Sequence, residues 1–223
     1  MKIRQKMSLA LEVIYQTKNF LVINKPAGLT VHGGPAVKSK LTLVDWLVKN
    51  FPEIKSVGED GIRPGIVHRL DKDTSGLMVV ALNQAAFLKL KQQFQARKIL
   101  KIYQAEVWGS FKNKAGVLKN YLARHPKNRL KRIVVKHNYP NACEAETHYR
   151  VLSSLDARSR IRLSLKTGRT HQIRCQLADI KHPVVNDKRY GFRRQKFLGD
   201  GQLRLTAKVL GFSLDNKIYR FEI

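Results

Sequence analysis

Residues 68–76 read HRLDKDTSG. His68 and Arg69, two side chains able to carry positive charge, precede a carboxylate, Asp71, and DTSG then turns the chain into the wholly apolar run Leu77–Leu82. A carboxylate at the edge of a rigid strand can act as a nucleophile or take a proton. An isolated Asp before Thr-Ser-Gly is more often a turn residue, and Asp73 fits that role equally well. A second candidate is LKTGRTHQIR at 165–174. Gly168 permits a sharp turn there, and Arg169 precedes a helix whose free N–H groups form an electropositive end. An arginine so placed can hold a carboxylate through two parallel hydrogen bonds and keep it ionised, or it can be a surface residue at a helix start. Tyr103, in KIYQAEV, reads as a core aromatic of an alternating strand, and NKPAGLTVH at 24–32 is by itself a turn signal.

The elements that must position these groups follow from periodicity. Leu11–Tyr15 and Phe20–Asn24 alternate like a hairpin, and residues 41–50 space Leu43, Trp46 and Leu47 as a helix that Pro52 stops. A polar loop from Gly58 to Gly65 leads into the HRLD segment and the Leu77–Leu82 strand. Asn83 caps a helix reaching about Lys98, with Phe87, Leu90 and Phe94 on its buried side. Ile102–Trp108, Thr147–Leu155 and Ile161–Leu165 read as strands, and Thr170–Ile180 as a helix. Residues 112–141 are basic and weakly periodic, so hairpins or a mobile insertion facing a binding partner both fit. After a long basic loop at 181–200, Leu203–Phe212 and Ile218–Ile223 form a hairpin around Asp215-Asn216. Runs of strands with few helices between them give the fold class α+β: a large mixed, mainly antiparallel sheet with flanking helices.

The chain has 223 residues, 43 Lys and Arg against 16 Asp and Glu, and a formal charge of +27. That charge exceeds what solubility requires and points to a polyanionic partner. Residues 91–138 hold thirteen Lys and Arg and one acid, Glu106, with Phe94, Tyr103, Trp108, Phe111 and Tyr121 interleaved. Cations bind phosphates and aromatics stack on bases, whereas a merely solvated basic face needs no such interleaving. Cys143 and Cys175 make no metal spacing, and His32, His68, His125, His137, His148, His171 and His182 include no ligand-spaced pair, so no metal is expected. Lys2, Arg4 and Lys6 before Met7–Leu11 faintly suggest a leader, but Glu12 ends the apolar run too soon. No apolar run reaches the length of about 18 residues that a spanning helix requires. A cytoplasmic protein of one domain over 1–223, two lobes sharing one sheet, is expected, and nothing demands a dimer over a monomer.

Four segments in order, NKPAGLTVH, HRLDKDTSGL, KIYQAEVWG and LKTGRTHQIR, resemble the RluA family of pseudouridine synthases, with RPGIVHRLDKDTSGL matching its signature throughout. ACEAETHYRVL at 142–152 and KRYG at 188–191 are also similar to family segments, and the resemblance runs from about residue 13 to 212. It implies a central RNA-binding cleft, Asp71 as catalytic aspartate, Tyr103 stacking on the target base and Arg169 paired with Asp71. It further implies that Arg69 enters the RNA where the base has left, with His68, Lys72, Lys101, Lys166, His171 and Arg174 as further RNA contacts. The family's frequent S4-type module is not expected here. Cys175 and Gln176 stand where the family more often has an aliphatic residue and His, and Thr206 replaces a frequent His.

The implied reaction breaks the N-glycosidic bond of a uridine in ribosomal or transfer RNA, turns the uracil, and joins C5 to C1′. It is redox-neutral and carries no group away, so no cofactor is expected. A carboxylate serves by attacking C1′ or by taking a proton on a glycal route, and the residues do not choose between them. Two other classes remain open: a non-catalytic RNA-binding factor, and a metal-dependent nuclease using Asp71, Asp73 and His68, which EDTA would silence.

Overall fold

The computed structural model describes residues 11–33 and 41–223. The leader-like features of residues 1–10 lie outside them. Ten strands among the described residues form one sheet: β1 (Glu12–Gln16), β2 (Phe20–Lys25), β3 (Ser75–Ala81), β4 (Leu100–Trp108), β5 (Ala115–His125), β6 (Asn128–Val135), β7 (Cys143–Leu155), β8 (Arg158–Leu165), β9 (Leu205–Leu214) and β10 (Lys217–Glu222). Their order is β1-β2-β3-β9-β4-β8-β7-β5-β6, and β10 pairs with β9. Every pairing is antiparallel except β3 with β9, which is parallel over Ser75–Thr206 and Gly76–Ala207 alone. The α+β class therefore holds.

That short parallel contact lies immediately after the Asp71 turn, and its chemistry explains DTSG. Gly76 has φ +115°, and a Cβ there would lie 2.3 Å from the Ala207 carbonyl oxygen, so only glycine lets the two backbones meet. The hydroxyls of Ser75 and Thr206 hydrogen-bond across the junction at 2.9 Å. Thr206 thus fills its unusual position with a polar staple between the two halves of the sheet.

Helix α1 (Leu43–Asn50) starts with a capping box in which the Thr42 side chain accepts the Asp45 N–H and the Asp45 carboxylate accepts that of Thr42. Helix α2 (Gln84–Gln95) is capped by Asn83 and buries Phe87 and Leu90. It ends earlier than the apolar spacing suggests because Arg97 turns left-handed at φ 57°. These helices cover β1–β3 and β9 around one large apolar cluster, while β4, β8 and α3 (Gln172–Asp179) enclose a second. Tyr103 packs against both.

Of the two options for 112–141, the chain takes the hairpin β5–β6. Its strands run beyond the core, so much of both faces is exposed and no alternation marks them in the sequence. At the last hairpin, Asp215 and Asn216 both have positive φ, as a two-residue turn of this hand requires. The basic loop 181–200 is not wholly external, because residues 183–187 are buried against β4.

Candidate active site

Asp71 sits in the turn before β3, where the Thr74 N–H bonds back to its carbonyl. The NKPAG segment holds this turn from below. The Lys72 carbonyl accepts the Gly28 N–H at 2.9 Å and the Lys25 ammonium at 3.0 Å, and the same ammonium donates to the carbonyls of Pro26 and Leu29. Lys25 is fully buried, and burial pushes its pKa down to about 8, with the charges of Asp73 and Asp71 opposing the fall. What reads in the sequence as a turn signal is thus a clamp on the Asp71 loop.

The carboxylate faces a cavity of about 70 Å³ lined among others by Arg69, Tyr103, Arg169, His171 and Arg174. Leu165, Ile173 and Leu205 give it an apolar wall. Segments far apart in the chain therefore converge here, which is the arrangement that a small buried reactant requires. Tyr103 on β4 keeps its phenol protonated, since burial and the Asp71 charge both raise its pKa.

The guanidinium beside Asp71 is that of Arg174, not Arg169 as the sequence suggested. Arg174 Nη1 lies 3.5 Å from Asp71 Oδ2, while its Nε and Nη2 donate to Asp187 at 2.7 and 2.8 Å. Both partners of the Arg174–Asp187 pair are buried. Burial works against the Arg174 charge, but the hydrogen bonds and charge of Asp187 outweigh it, and its pKa is raised. Asp187 responds in kind: burial alone would raise its pKa, yet Arg174 brings it below the usual value. The physical reason for the exchange is the entry to α3. His171 is left-handed (φ 56°), so the helix begins at Gln172, and Arg174 lies on its inner face, leaning back toward the cleft. Arg169 lies outside the helix, where its Nε donates to the Glu144 carbonyl and its N–H to Gln172 Oε1. It lines the cavity rim but carries no ion pair to Asp71.

Buried amides brace this entry. Gln172 bonds Thr167, Thr147 and the Glu146 carbonyl, and Gln176 bonds Thr147, Asn120 and two strand carbonyls. Gln176 is thus a fully partnered member of the support, and Cys175 is buried against Leu122 and Ala145.

His68 also departs from expectation. Its Nε2 accepts the Val79 N–H at 3.1 Å and its ring stacks on Phe94 at 4.5 Å. Burial, helped by nearby Lys101, depresses its pKa to about 3, so it is a neutral strand anchor and not a phosphate-binding cation. Arg69 is exposed, and its Nη1 donates to His32 Nε2 at 2.6 Å. Lys101 and Lys166 line a groove beyond Tyr103 with Arg97 and Arg169, whereas Lys72 is exposed on the Asp71 turn. Among the described residues no cluster of three or more His, Cys, Asp or Glu could hold a metal ion, and no helix is long and apolar enough to cross a membrane.

Sequence reasoning missed Asp187, Lys25 and Tyr190, whose hydroxyl is 2.9 Å from His171 Nδ1. Asp187 had a signal, being the sole acid between Asp179 and Asp200, separated only by Asn186 from the apolar pair Val184-Val185.

Among the described residues, a mainly antiparallel sheet with an Asp–Arg–Tyr cleft beside its one parallel pairing defines an α+β class, and its similarity to known proteins gives the family. The model of the RNA pseudouridylate synthase family matches residues 19–179, and the chain belongs to that family, within the RluA group its four segments resemble. It is 43% identical over 183 residues to ribosomal large subunit pseudouridine synthase D of Yersinia pestis, covering 82% of this chain and 53% of that protein. An uncharacterized RNA pseudouridine synthase of Aquifex aeolicus is 41% identical over 189 residues, 83% of this chain and 58% of that one. The chain thus spans little more than half the length of these relatives. Human RNA pseudouridylate synthase domain containing 1 superposes with a TM-score of 0.76 at 27% identity, over 96% of this chain and 82% of that one.

Proposed function

We propose that this protein is an RNA pseudouridine synthase that isomerises particular uridines of structured RNA, ribosomal or transfer, with Asp71 as the carboxylate acting at the ribose. The observation that carries this is the placement of Asp71 on the rim of a half-apolar cavity, between the Arg174 guanidinium and the Tyr103 ring. A uridine inside a helix is out of reach, so the nucleotide leaves the stack at a cost of a few kcal/mol. Tyr103 packing on the uracil and Arg69 filling the gap offset that cost. Arg69 is suited to this because it is exposed and, among the described residues, its side chain hydrogen-bonds only the His32 ring.

Arg174 aims the Asp71 carboxylate. The carboxylate then either attacks C1′ as the N1–C1′ bond breaks or takes a ribose proton to give a glycal. After the uracil turns, C5 bonds C1′ as the Asp71–C1′ bond breaks on the first route, or as Asp71 returns the proton to C2′ on the second; the C5 proton is then lost while N1 gains one, so the atoms balance on either route. Arg169, Lys72, Lys101, Lys166 and His171 act as contacts to the RNA around the target. The protein would work as a cytoplasmic monomer, without cofactor or metal.

The test is the Asp71→Asn variant on an in vitro transcript of large-subunit ribosomal RNA. Wild-type protein is expected to create carbodiimide-reactive pseudouridines, and Asp71→Asn to create none while binding the transcript within about twofold of wild type, since a neutral isostere removes no phosphate contact. Turnover by the variant would remove Asp71 from the mechanism. A wild-type protein that bound without isomerising would favour a non-catalytic RNA-binding role.

A further inference from the structure

The basic hairpin and the cleft share one side chain. Among the described residues strand β6 ends the sheet, and one edge of it has no strand partner there. The loop before β9 covers part of that edge: Arg189 Nη1 donates to the Leu130 carbonyl, and the Tyr190 hydroxyl lies 2.7 Å from the Arg132 backbone N. The same hydroxyl is 2.9 Å from His171 Nδ1, and Arg174 stacks over the Tyr190 ring at 5.4 Å. A backbone N–H can only donate, so the Tyr190 oxygen accepts from Arg132. Among the described residues, the one acceptor within reach of its own proton is His171 Nδ1. An imidazole that accepts at Nδ1 carries its proton at Nε2 when neutral, because the bond made by one ring nitrogen sets the tautomer of the other. His171 Nε2 lies 3.9 Å from Asp71 Oδ1.

We infer that Tyr190 is a positioning residue linking the β5–β6 hairpin to the Asp71 carboxylate, by taking the Arg132 N–H and fixing His171 as the tautomer whose Nε2–H faces Asp71. The charged groups around the imidazole are Asp71 and Asp187, which favour its cation, and Arg174 and Arg189, which oppose it; with burial the largest influence, its pKa lies below the usual value. The neutral form, whose tautomer Tyr190 sets, is therefore the form present at neutral pH. An RNA that shifts β6 acts on the same hydroxyl that orients His171, so docking on the hairpin and the geometry at Asp71 are linked. The catalytic half of this inference rests on the proposed isomerase activity, and the tautomer does not.

Nitrogen-15 NMR of histidine-labelled full chain tests the tautomer without RNA, with the His171 signals assigned by their loss in His171→Gln. Wild type is expected to show an unprotonated Nδ1 and a protonated Nε2, and Tyr190→Phe a mixture of both tautomers. An Nε2 without a proton in wild type would overturn the inference. On the ribosomal transcript, Tyr190→Phe is expected to lower kcat about tenfold, the low end of what losing an orienting partner costs a metal-bound imidazole, and to leave KM within about twofold. His171→Gln offers Asp71 an amide donor that does not depend on Tyr190, so adding Tyr190→Phe to it is expected to change kcat less than about twofold. Losses that add in the double variant would overturn the relay and leave Tyr190 a packing residue. A wild type inactive on the transcript would overturn the functional proposal alone, with the NMR spectra still deciding the tautomer.

Discussion

Arg174 in the cleft is 4% exposed and holds Asp187 with two hydrogen bonds while facing Asp71. Arg129 on the β5–β6 hairpin, the same side chain, is exposed and holds no ion pair among the described residues, as do Lys127 and Lys136. Burying a guanidinium costs several kcal/mol of hydration, which only fixed and well-formed partners offset, so every group around Arg174 is committed to one geometry. An exposed cation has no such debt and stays available to whatever anion arrives. The cleft places charge for chemistry, and the hairpin holds charge for binding.

The comparison breaks most directly at Asp187. Asp187→Ala would leave the Arg174 guanidinium buried with only Asp71, at 3.5 Å, and the more distant charge of Asp73, and would strand the N–H groups of Arg189 and Tyr190. Loss of one member of a buried pair costs about 3–5 kcal/mol, and urea unfolding is expected to show a loss of that size. A change below about 1 kcal/mol, the range of exposed pairs, would mean that the cleft is wetter than its geometry implies.

Lys25 tests the cleft on a second axis. Lys25→Met removes the donor from three carbonyls and is expected to destabilise by about 2–3 kcal/mol, the cost of stranding buried acceptors. The pH dependence has a definite sign. The native lysine has a pKa of about 8 against the reference 10.5, so between those values the unfolded chain binds more protons and wild-type stability rises with pH. The advantage of wild type over Lys25→Met should therefore widen from pH 8 to 10.5. A flat difference across that window would show that Lys25 is not desolvated.

Much of this was legible in the sequence, and the residues that were not show why. The Asp71 turn announced itself because polar residues interrupt an apolar strand, and Asn83, Pro52 and the Asp215-Asn216 turn act locally, so their effects needed no tertiary information. Arg169 and Arg174 were both visible at the start of α3, but which one faces Asp71 depends on the left-handed His171, and no composition or spacing encodes that backbone choice. His68 looked basic in sequence, and only its place beneath Phe94 and the Val79 N–H makes it neutral. Lys25 reads as one lysine of many until burial distinguishes it. The hairpin was ambiguous because strands exposed on both faces have no reason to alternate.

The smallest expected effect on stability falls on the hairpin, where it sharpens the contrast. Lys127, Arg129 and Lys136 are exposed, and replacing all three with Gln is expected to change unfolding free energy by no more than about 0.5 kcal/mol, as for surface sites away from special features. Affinity for the ribosomal transcript should nevertheless fall, and its dependence on salt should flatten. Each lost phosphate contact lowers the slope of log affinity against log salt by roughly 0.7–0.9, so three contacts predict a reduction of about 2–3. Gln keeps the length and polarity of the side chains, so a flattened slope would isolate charge as the cause. An unchanged slope would place the RNA track elsewhere, with the groove lined by Arg97, Lys101 and Lys166 next in line because it opens directly beside Tyr103.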